Sequence, residues 1–160
     1  MKQQKIDYTH LVCMDDFENI HPLRVQLAYR KDEPPNIFGK IYAHTAKLWL
    51  HRNLAEIVFE ASIICYNKHG CRFVLYDGLR TIEAQQKMAK SPIVQKNPQW
   101  LQEPDRLLSP PGEGAHPRAM AIDIGLEDEK GEAVDMGTVF DYLAEKPDQE
   151  NNPAHRNYIH

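Results

Sequence analysis

The sequence predicts a single α+β domain in which helices pack on a small antiparallel sheet, and three observations support this class. The chain has 160 residues, of which 42% are hydrophobic and 26% charged, as is usual for a globular domain with a real core. Hydrophobic residues alternate with polar ones over residues 23–29, which is typical of a half-buried strand. They recur every three or four residues over 47–68, which is typical of an amphipathic helix. Mixed periods of this kind indicate helices on a sheet.

Cap residues define the elements that follow this helix. Gly70 stands where a helix C-terminal cap belongs. Residues 71–76 form a short apolar run, which predicts a second strand. Thr81 can cap a second helix that runs to about residue 90. The chain therefore returns from helix to strand to helix within about forty residues.

The second half of the chain is richer in turn residues. Residues 91–118 hold six of the eleven prolines, and we predict a long loop there. Residues 121–126 predict another strand, followed by a charged turn at Gly131 and an extended stretch from Ala133. Residues 145–153 are polar and predict a loop.

Charge and cysteine usage exclude several function classes. The net charge is −4, so the chain lacks the basic stripe of a nucleic-acid partner. It has no apolar run of membrane-spanning length and no signal-peptide core near its start. Cys13, Cys65 and Cys71 are too few for a disulfide scaffold, and no CxxC pair exists. We therefore expect no membrane partner and a cytoplasmic location, with the periplasm as the alternative; the oligomeric state is open.

A histidine in a loop containing Gly and Pro precedes an aspartate inside an apolar strand, at His116 and Asp123. A carboxylate in such a strand needs a partner, because burying an unpaired charge is costly. A divalent metal is one such partner, and zinc binds imidazole nitrogen and carboxylate oxygen. These residues are therefore candidate metal ligands. The alternative is that Asp123 faces solvent at a sheet edge and His116 is an ordinary loop residue.

Two further segments hold candidate binding side chains. Arg80 lies between a predicted strand end and a predicted helix start, where a guanidinium can bind a carboxylate or a developing oxyanion. The alternative is a surface ion pair with Asp77 or Glu83. Asp135 and Asp141 flank an apolar turn, which is typical either of loop capping or of a carboxylate that receives a substrate ammonium.

Together these segments resemble the VanX-type D-alanyl-D-alanine dipeptidases, which are zinc peptidases of the D,D-carboxypeptidase clan. The family motif Asp-Gly-Tyr-Arg-Pro corresponds to residues 77–81, where the chain has Asp-Gly-Leu-Arg-Thr. The family's His-Ser-Arg-Gly-x-Ala-x-Asp corresponds to residues 116–123, and its Met-Gly-x-x-Phe-Asp to residues 136–141. The motifs occur in family order, and the resemblance covers about residues 16–141.

The resemblance implies a role for each matching residue. His116 and Asp123 match the first two zinc ligands, and Arg80 matches the arginine that stabilises the tetrahedral intermediate. Asp141 matches a carboxylate that holds the amino terminus of the dipeptide. General chemistry agrees, because zinc polarises a carbonyl and acidifies water, while a fixed guanidinium stabilises an oxyanion.

The chain also departs from the family pattern. The family completes its site with a C-terminal Glu-x-x-His, which supplies the general base and the third zinc ligand. No such string follows Asp141, so we expect the chain to be C-terminally incomplete relative to the family, with little dipeptidase activity by itself. His155 and His160 are alternative ligands by residue type. Ala119 replaces a family glycine, which is tolerable only if its φ is negative.

The leading prediction is zinc-dependent hydrolysis of the D-alanyl-D-alanine dipeptide in cell-wall peptide metabolism, with Zn2+ as cofactor and a small dipeptide as partner. Two alternatives remain. One is a truncated or degenerate relative that binds metal or dipeptide without catalysis. The other is a zinc D,D-carboxypeptidase or endopeptidase that acts on longer peptidoglycan peptides.

Overall fold

The computed structural model describes residues 8–34, 36–103 and 106–143, and these residues form two compact units. The sheet unit consists of the described residues within Met1–Leu27, Lys47–Arg80 and Ala115–Val134. The helical unit consists of those within Ala28–Ala46, Thr81–Gly114 and Asp135–His160. The chain passes between the units several times, so each unit is assembled from segments that are distant in sequence. A single domain over 1–160 stays a prediction.

Every strand of the described residues belongs to the sheet unit. The strands are β1 (Leu11–Cys13), β2 (Leu23–Val25), β3 (Trp49–His51), β4 (Arg72–Asp77) and β5 (Asp123–Glu127). β1 and β3 form an antiparallel pair, and the second sheet has the order β2-β4-β5. The predicted α+β class is confirmed. The three-stranded sheet is mixed, because β2 is parallel to β4 whereas β5 is antiparallel to it. A parallel pair needs a long crossover, which the chain between β2 and β4 provides.

The long helix α1, Arg52–His69, begins five residues later than the sequence predicts. Leu48 and Leu50 are buried while Trp49 between them is exposed. This period of two belongs to a strand, so β3 precedes the helix. The predicted cap is confirmed: Gly70 has a φ of 69°, and its N–H donates to the Tyr66 carbonyl at 2.9 Å.

The first predicted strand is shorter than its hydrophobic alternation suggests. It ends at Val25 rather than Tyr29, and a 3-10 turn over Ala28–Arg30 follows. Tyr29 is fully buried, but in the core of the helical unit. The hydrophobic alternation in the sequence continues beyond the end of β2. It therefore includes Tyr29, which packs in the helical unit and not on the sheet.

The helical unit contains α2 (Ile82–Ala89) and α3 (Pro92–Lys96). Thr81 caps α2 as predicted, because its Oγ1 accepts the Ala84 N–H at 3.2 Å. The prediction of one long loop over 91–118 is wrong, since α3 and a 3-10 turn over Pro98–Leu101 occupy its first part. The prolines there begin short helices, where a missing N–H costs nothing.

The core of the helical unit is a cluster of buried apolar side chains from two of its segments, and partly buried side chains of the third, such as Phe140 and Leu143, pack against it. Its members are Tyr29, Phe38, Ile41, Ala84, Met88, Val94 and Trp100. Val94 and Trp100 come from the part predicted as loop, and their burial supplies the apolar area that stabilises these short helices.

The last predicted strand is β5, shifted by one or two residues at each end. Gly131 turns the chain with a φ of 80°, and Ala133 then forms an isolated antiparallel bridge with Glu127. The predicted loop over 145–153 lies outside the described residues. Of the helices that the structure describes, none combines the length and apolarity needed to cross a membrane.

Candidate functional site

Two carboxylates lie side by side at one end of the mixed sheet. β4 ends at Asp77 and β5 begins at Asp123, and these two residues are partners in the antiparallel ladder. The register shifts between Leu75 and Asp77. Irregularities of this kind redirect side chains and are common beside functional sites.

A tight loop holds His116 against the end of β4. Its backbone carbonyl accepts the N–H groups of Ala119 at 3.0 Å and Arg80 at 3.2 Å. Its ring Nδ1 lies 2.7 Å from the carbonyl oxygen of Gly78. A Cβ at position 78 would lie 2.8 Å from the Trp49 carbonyl oxygen. Only glycine therefore allows the backbone at position 78 to lie this close to the backbone of β3.

Ala119 has a φ of 56° and a ψ of 27°, so the negative φ at which alanine would be tolerated without strain is not present. It ends the 3-10 turn that begins at His116, and the left-handed residue turns the chain toward β5. Its carbonyl accepts the His51 N–H at 2.9 Å, and its side chain is fully buried. The turn therefore requires the conformation that the family glycine adopts freely, and alanine adopts it at a cost of about 1–2 kcal/mol.

The distance between His116 and Asp123 fits two ligands of one ion. His116 Nε2 lies 3.6 Å from Asp123 Oδ1, which is longer than a hydrogen bond. Two tetrahedral zinc ligands at 2.0–2.2 Å from the ion lie about 3.4 Å apart. If Nδ1 donates to Gly78, the neutral ring has its lone pair on Nε2, as metal-binding histidines do. The donor set of one imidazole and one carboxylate therefore fits zinc.

Asp77 is a member of this cluster that sequence reasoning missed. Asp77, His116 and Asp123 each present a ligand atom within 4.8 Å of the others. The Asp77 side chain is fully buried, and its Oδ2 accepts Arg80 Nε at 2.8 Å and Nη2 at 2.6 Å. Asp77 Oδ2 lies 3.6 Å from His116 Nδ1, the ring nitrogen that faces Gly78. Asp77 thus orients Arg80 rather than sharing the Nε2 side of the imidazole with Asp123.

Arg80 lies within the cluster and not on the surface. It is 8% exposed, and its Nη2 is also 3.5 Å from Asp123 Oδ2. The alternative interpretation, a surface ion pair of Arg80 with Asp77 or Glu83, is correct in its partner Asp77. It is wrong in its location, because the pair is buried. The available sequence signal was a carboxylate at the end of an apolar strand, three residues before an arginine.

The charges around His116 compete. Burial lowers the pKa of the imidazole, but the carboxylates of Asp123 and Asp77 outweigh burial and the positive charge of Arg80. The pKa of His116 therefore lies above its ordinary value of 6.5. The same carboxylates that favour a proton on this ring also favour a cation beside it.

The fourth predicted site residue, Asp141, belongs to the helical unit. Its two carboxylate oxygens accept the Tyr29 hydroxyl at 3.0 Å each, and its φ is 58°. It lines a cavity of about 610 Å3, and the other described residues that line this cavity are apolar or aromatic. Asp135 caps the loop, which is the first of the two interpretations given above, because its Oδ1 accepts the Gly137 N–H at 2.8 Å. His155 and His160 lie outside the described residues.

Comparison with known proteins places the chain in a family. A sequence model of peptidase family M15, described as D-Ala-D-Ala dipeptidase, matches residues 13–155. The chain belongs to this family of peptidases. D-alanyl-D-alanine dipeptidase of Escherichia coli (strain K12) is 30% identical over 141 residues, which cover 88% of this chain and 65% of that protein. The predicted family and the peptidase class are confirmed, and the chain spans about 65% of the length of this curated relative.

Proposed function

We propose that the protein hydrolyses the D-alanyl-D-alanine dipeptide with a zinc ion as cofactor. The observation that carries this proposal is the 3.6 Å separation of His116 Nε2 and Asp123 Oδ1 beside the buried Arg80 guanidinium. Family membership and the similarity to the E. coli dipeptidase support the substrate. The zinc, the substrate and the activity of the whole protein are all part of the proposal.

His116 and Asp123 would hold the ion. A bound zinc would supply a Lewis acid for the scissile carbonyl and would acidify a water molecule. The Gly78 carbonyl fixes the His116 ring through Nδ1, which leaves Nε2 oriented before the ion binds. This orientation reduces the conformational cost of metal binding.

Arg80 would stabilise the negative charge that develops on the substrate carbonyl oxygen. Its guanidinium is buried and bound to Asp77, so its position is fixed before substrate arrives. A preorganised cation in a site of low dielectric stabilises an oxyanion more than a mobile surface charge does. Asp77 acts through Arg80, as a positioning residue.

Asp141 would bind the free ammonium of the substrate. Its carboxylate accepts the Tyr29 hydroxyl, and the residue lines a cavity whose other described walls are apolar or aromatic. A carboxylate in this role requires a free amino terminus. It therefore favours a dipeptidase over a carboxypeptidase that acts on longer peptides. The Glu-x-x-His of the family has no matching string after Asp141 in these 160 residues, and the hydrolysis proposed here is that of the whole protein.

Zinc content and hydrolysis test the proposal together. His116→Ala and Asp123→Ala should each lower the zinc content of the purified protein sharply and abolish D-Ala-D-Ala hydrolysis. His44→Ala is the matched control, because His44 is exposed and lies outside the cluster. Unchanged zinc stoichiometry in both cluster variants would show that the metal site is elsewhere. Hydrolysis of N-acetyl-D-Ala-D-Ala as fast as D-Ala-D-Ala would contradict the role of Asp141.

A further inference from the structure

We infer that the helical unit contains a side-chain subsite which makes the protein prefer dipeptides whose first residue is larger and more apolar than alanine. The inference rests on the proposed function, because it takes Asp141 as the residue that binds the substrate ammonium. It extends that function from a single dipeptide to a substrate class: D,D-dipeptides with a bulky aliphatic or aromatic amino-terminal side chain.

The cavity beside Asp141 is much larger than a methyl group needs. Its volume is about 610 Å3, and pockets of about 300–1,000 Å3 commonly bind ligands of drug size. Its walls include Ile37, Ile93, Trp100, Phe140 and Leu143, and Asp141 is the charged residue among the described residues that line it. An apolar wall of this kind favours an apolar occupant, because burial removes both surfaces from water.

Asp141 connects the cavity to the substrate backbone. In an α-amino acid the ammonium nitrogen and the side chain are bonded to the same carbon atom. A carboxylate that holds the ammonium therefore fixes where the first side chain begins. Because Asp141 itself lines the cavity, a side chain that begins at this point lies at the cavity wall.

Asp141 and the apolar wall of the cavity both contact Tyr29. The Tyr29 hydroxyl donates to the Asp141 carboxylate at 3.0 Å, and Tyr29 is almost fully buried. The Tyr29 ring lies 6.0 Å from the ring of Phe140, the wall residue next to Asp141. The charged end and the apolar end of the subsite are therefore held by the same tyrosine, which preorganises them for one ligand.

Trp100 supplies a direct reporter. It lines the cavity and is 4% exposed, and its indole N–H has no acceptor among the described residues. The chain has two tryptophans, so a Trp49→Phe variant leaves Trp100 as the sole source of indole fluorescence. An occupant of the cavity should change this emission even when no hydrolysis takes place.

The experiment compares three dipeptide analogues in which a CH2–NH group replaces the scissile amide: D-Ala-D-Ala, D-Leu-D-Ala and D-Phe-D-Ala. The zinc-loaded protein is titrated by calorimetry, and the Trp49→Phe variant by fluorescence. We expect the D-Leu analogue to bind about ten- to fiftyfold more tightly than the D-Ala analogue, since it buries three further carbon atoms. Trp100 emission should change with the D-Leu and D-Phe analogues more than with D-Ala.

Filling the cavity should remove this preference. In Ile93→Phe the ratio of D-Leu to D-Ala affinity should fall toward one. Val139→Phe is a second variant that does not depend on core packing, because Val139 lines the cavity but is 71% exposed. Ile57→Phe is the matched control on the exposed side of α1, and it should keep the full ratio.

The outcomes separate this inference from the proposed function. If all three analogues bind equally and Asp141→Asn abolishes their binding, the subsite is wrong and the dipeptidase proposal stands. If the zinc-loaded protein neither binds the analogues nor hydrolyses D-Ala-D-Ala, the proposed function fails and this inference fails with it. A preference for D-Leu that persists in both Ile93→Phe and Val139→Phe would also overturn the assignment to this cavity.

Discussion

The two units hold their functional carboxylates in opposite ways. In the sheet unit Asp77 is fully buried and bound to Arg80 through two short contacts, beside His116 and Asp123. In the helical unit Asp141 lies in the wall of an apolar cavity and accepts a neutral hydroxyl. The first arrangement suits chemistry, because charges are fixed by other charges. The second suits recognition, because shape and apolar area select the ligand.

The units share one feature at these sites. Among the described residues, the non-glycine residues with positive φ are Ala119 and Asp141, one in each unit. Ala119 follows the His116 turn, and Asp141 is itself the cavity carboxylate. Strained backbone of this kind is retained where the surrounding structure fixes it, and it clusters at functional positions.

The largest expected effect is on stability, when the negative charge of the buried Asp77–Arg80 ion pair is removed. Asp77→Asn should lower the free energy of unfolding by about 3–5 kcal/mol, because it leaves the Arg80 guanidinium buried without its main partner. Asp141→Asn should cost less than Asp77→Asn, since an amide oxygen can still accept the Tyr29 hydroxyl. Urea unfolding of the zinc-free variants measures both.

The exposed pair Asp16–Lys47, at 3.2 Å, provides the control for charge alone. Asp16→Asn should change the free energy of unfolding by less than about 1 kcal/mol, because exposed ion pairs contribute little. Equal losses for Asp77→Asn and Asp141→Asn would remove the distinction between the two units.

The second prediction concerns turnover in the sheet unit. Arg80→Lys should reduce kcat by about a hundred- to a thousandfold, which corresponds to about 2.7–4 kcal/mol. A lysine point charge does not reproduce the fork that binds Asp77 through Nε and Nη2. Zinc content should stay unchanged. Arg106→Lys is the control, since Arg106 is partly exposed and pairs with Glu103 in the helical unit. Equal kcat values for the two variants would contradict the role of Arg80.

The clustering of the candidate residues in the sheet unit was predictable from sequence because each lies close to the end of a predicted strand. Arg80 lies three residues after the end of β4, and Asp123 begins the neighbouring strand. The burial of Asp77 was not predictable, because it depends on the shifted register between β4 and β5. The positive φ of Ala119 was not predictable either, since alanine at a glycine position signals strain only when the turn is known.

The cavity of the helical unit escaped prediction for a different reason. Its walls come from three separate stretches that include Ile37, Trp100 and Phe140. Periodicity reports which face of one element is apolar, but it does not report which distant elements share a core. The stretch that contains Trp100 was also predicted as loop, because Pro92 and Pro98 begin its two helical turns and proline is also typical of loops.

The third prediction uses the pKa of His116, which lies above its ordinary value of 6.5. Because zinc and a proton compete for this ring, zinc affinity should be full above the raised pKa and fall about tenfold for each pH unit below it. The stability of the zinc-free protein should depend on pH in the opposite direction. Its stability gain from protonated His116 is complete below pH 6.5 and is lost as pH rises through the raised pKa.

Chelator competition across a pH series that brackets 6.5 measures the zinc affinity, and urea unfolding over the same series measures the stability. His116→Ala should abolish both dependences. A zinc affinity that does not change with pH would exclude His116 as a ligand. Asp141→Asn, in the helical unit, should leave both curves unchanged, because the charged groups that set the pKa of His116 are Asp123, Arg80 and Asp77.

The smallest predicted effect tests the strain beside the metal cluster. Ala119→Gly removes a left-handed alanine that costs about 1–2 kcal/mol. The substitution also removes a buried methyl group and gives the unfolded chain more conformational freedom. Each of these two changes lowers the free energy of unfolding by less than about 1 kcal/mol. We therefore expect stability to stay equal or to rise by up to about 1 kcal/mol. Ala55→Gly is the matched control, since Ala55 is equally buried but lies within α1. It should lose at least about 1 kcal/mol, and equal losses at both positions would show that the Ala119 turn stores no strain.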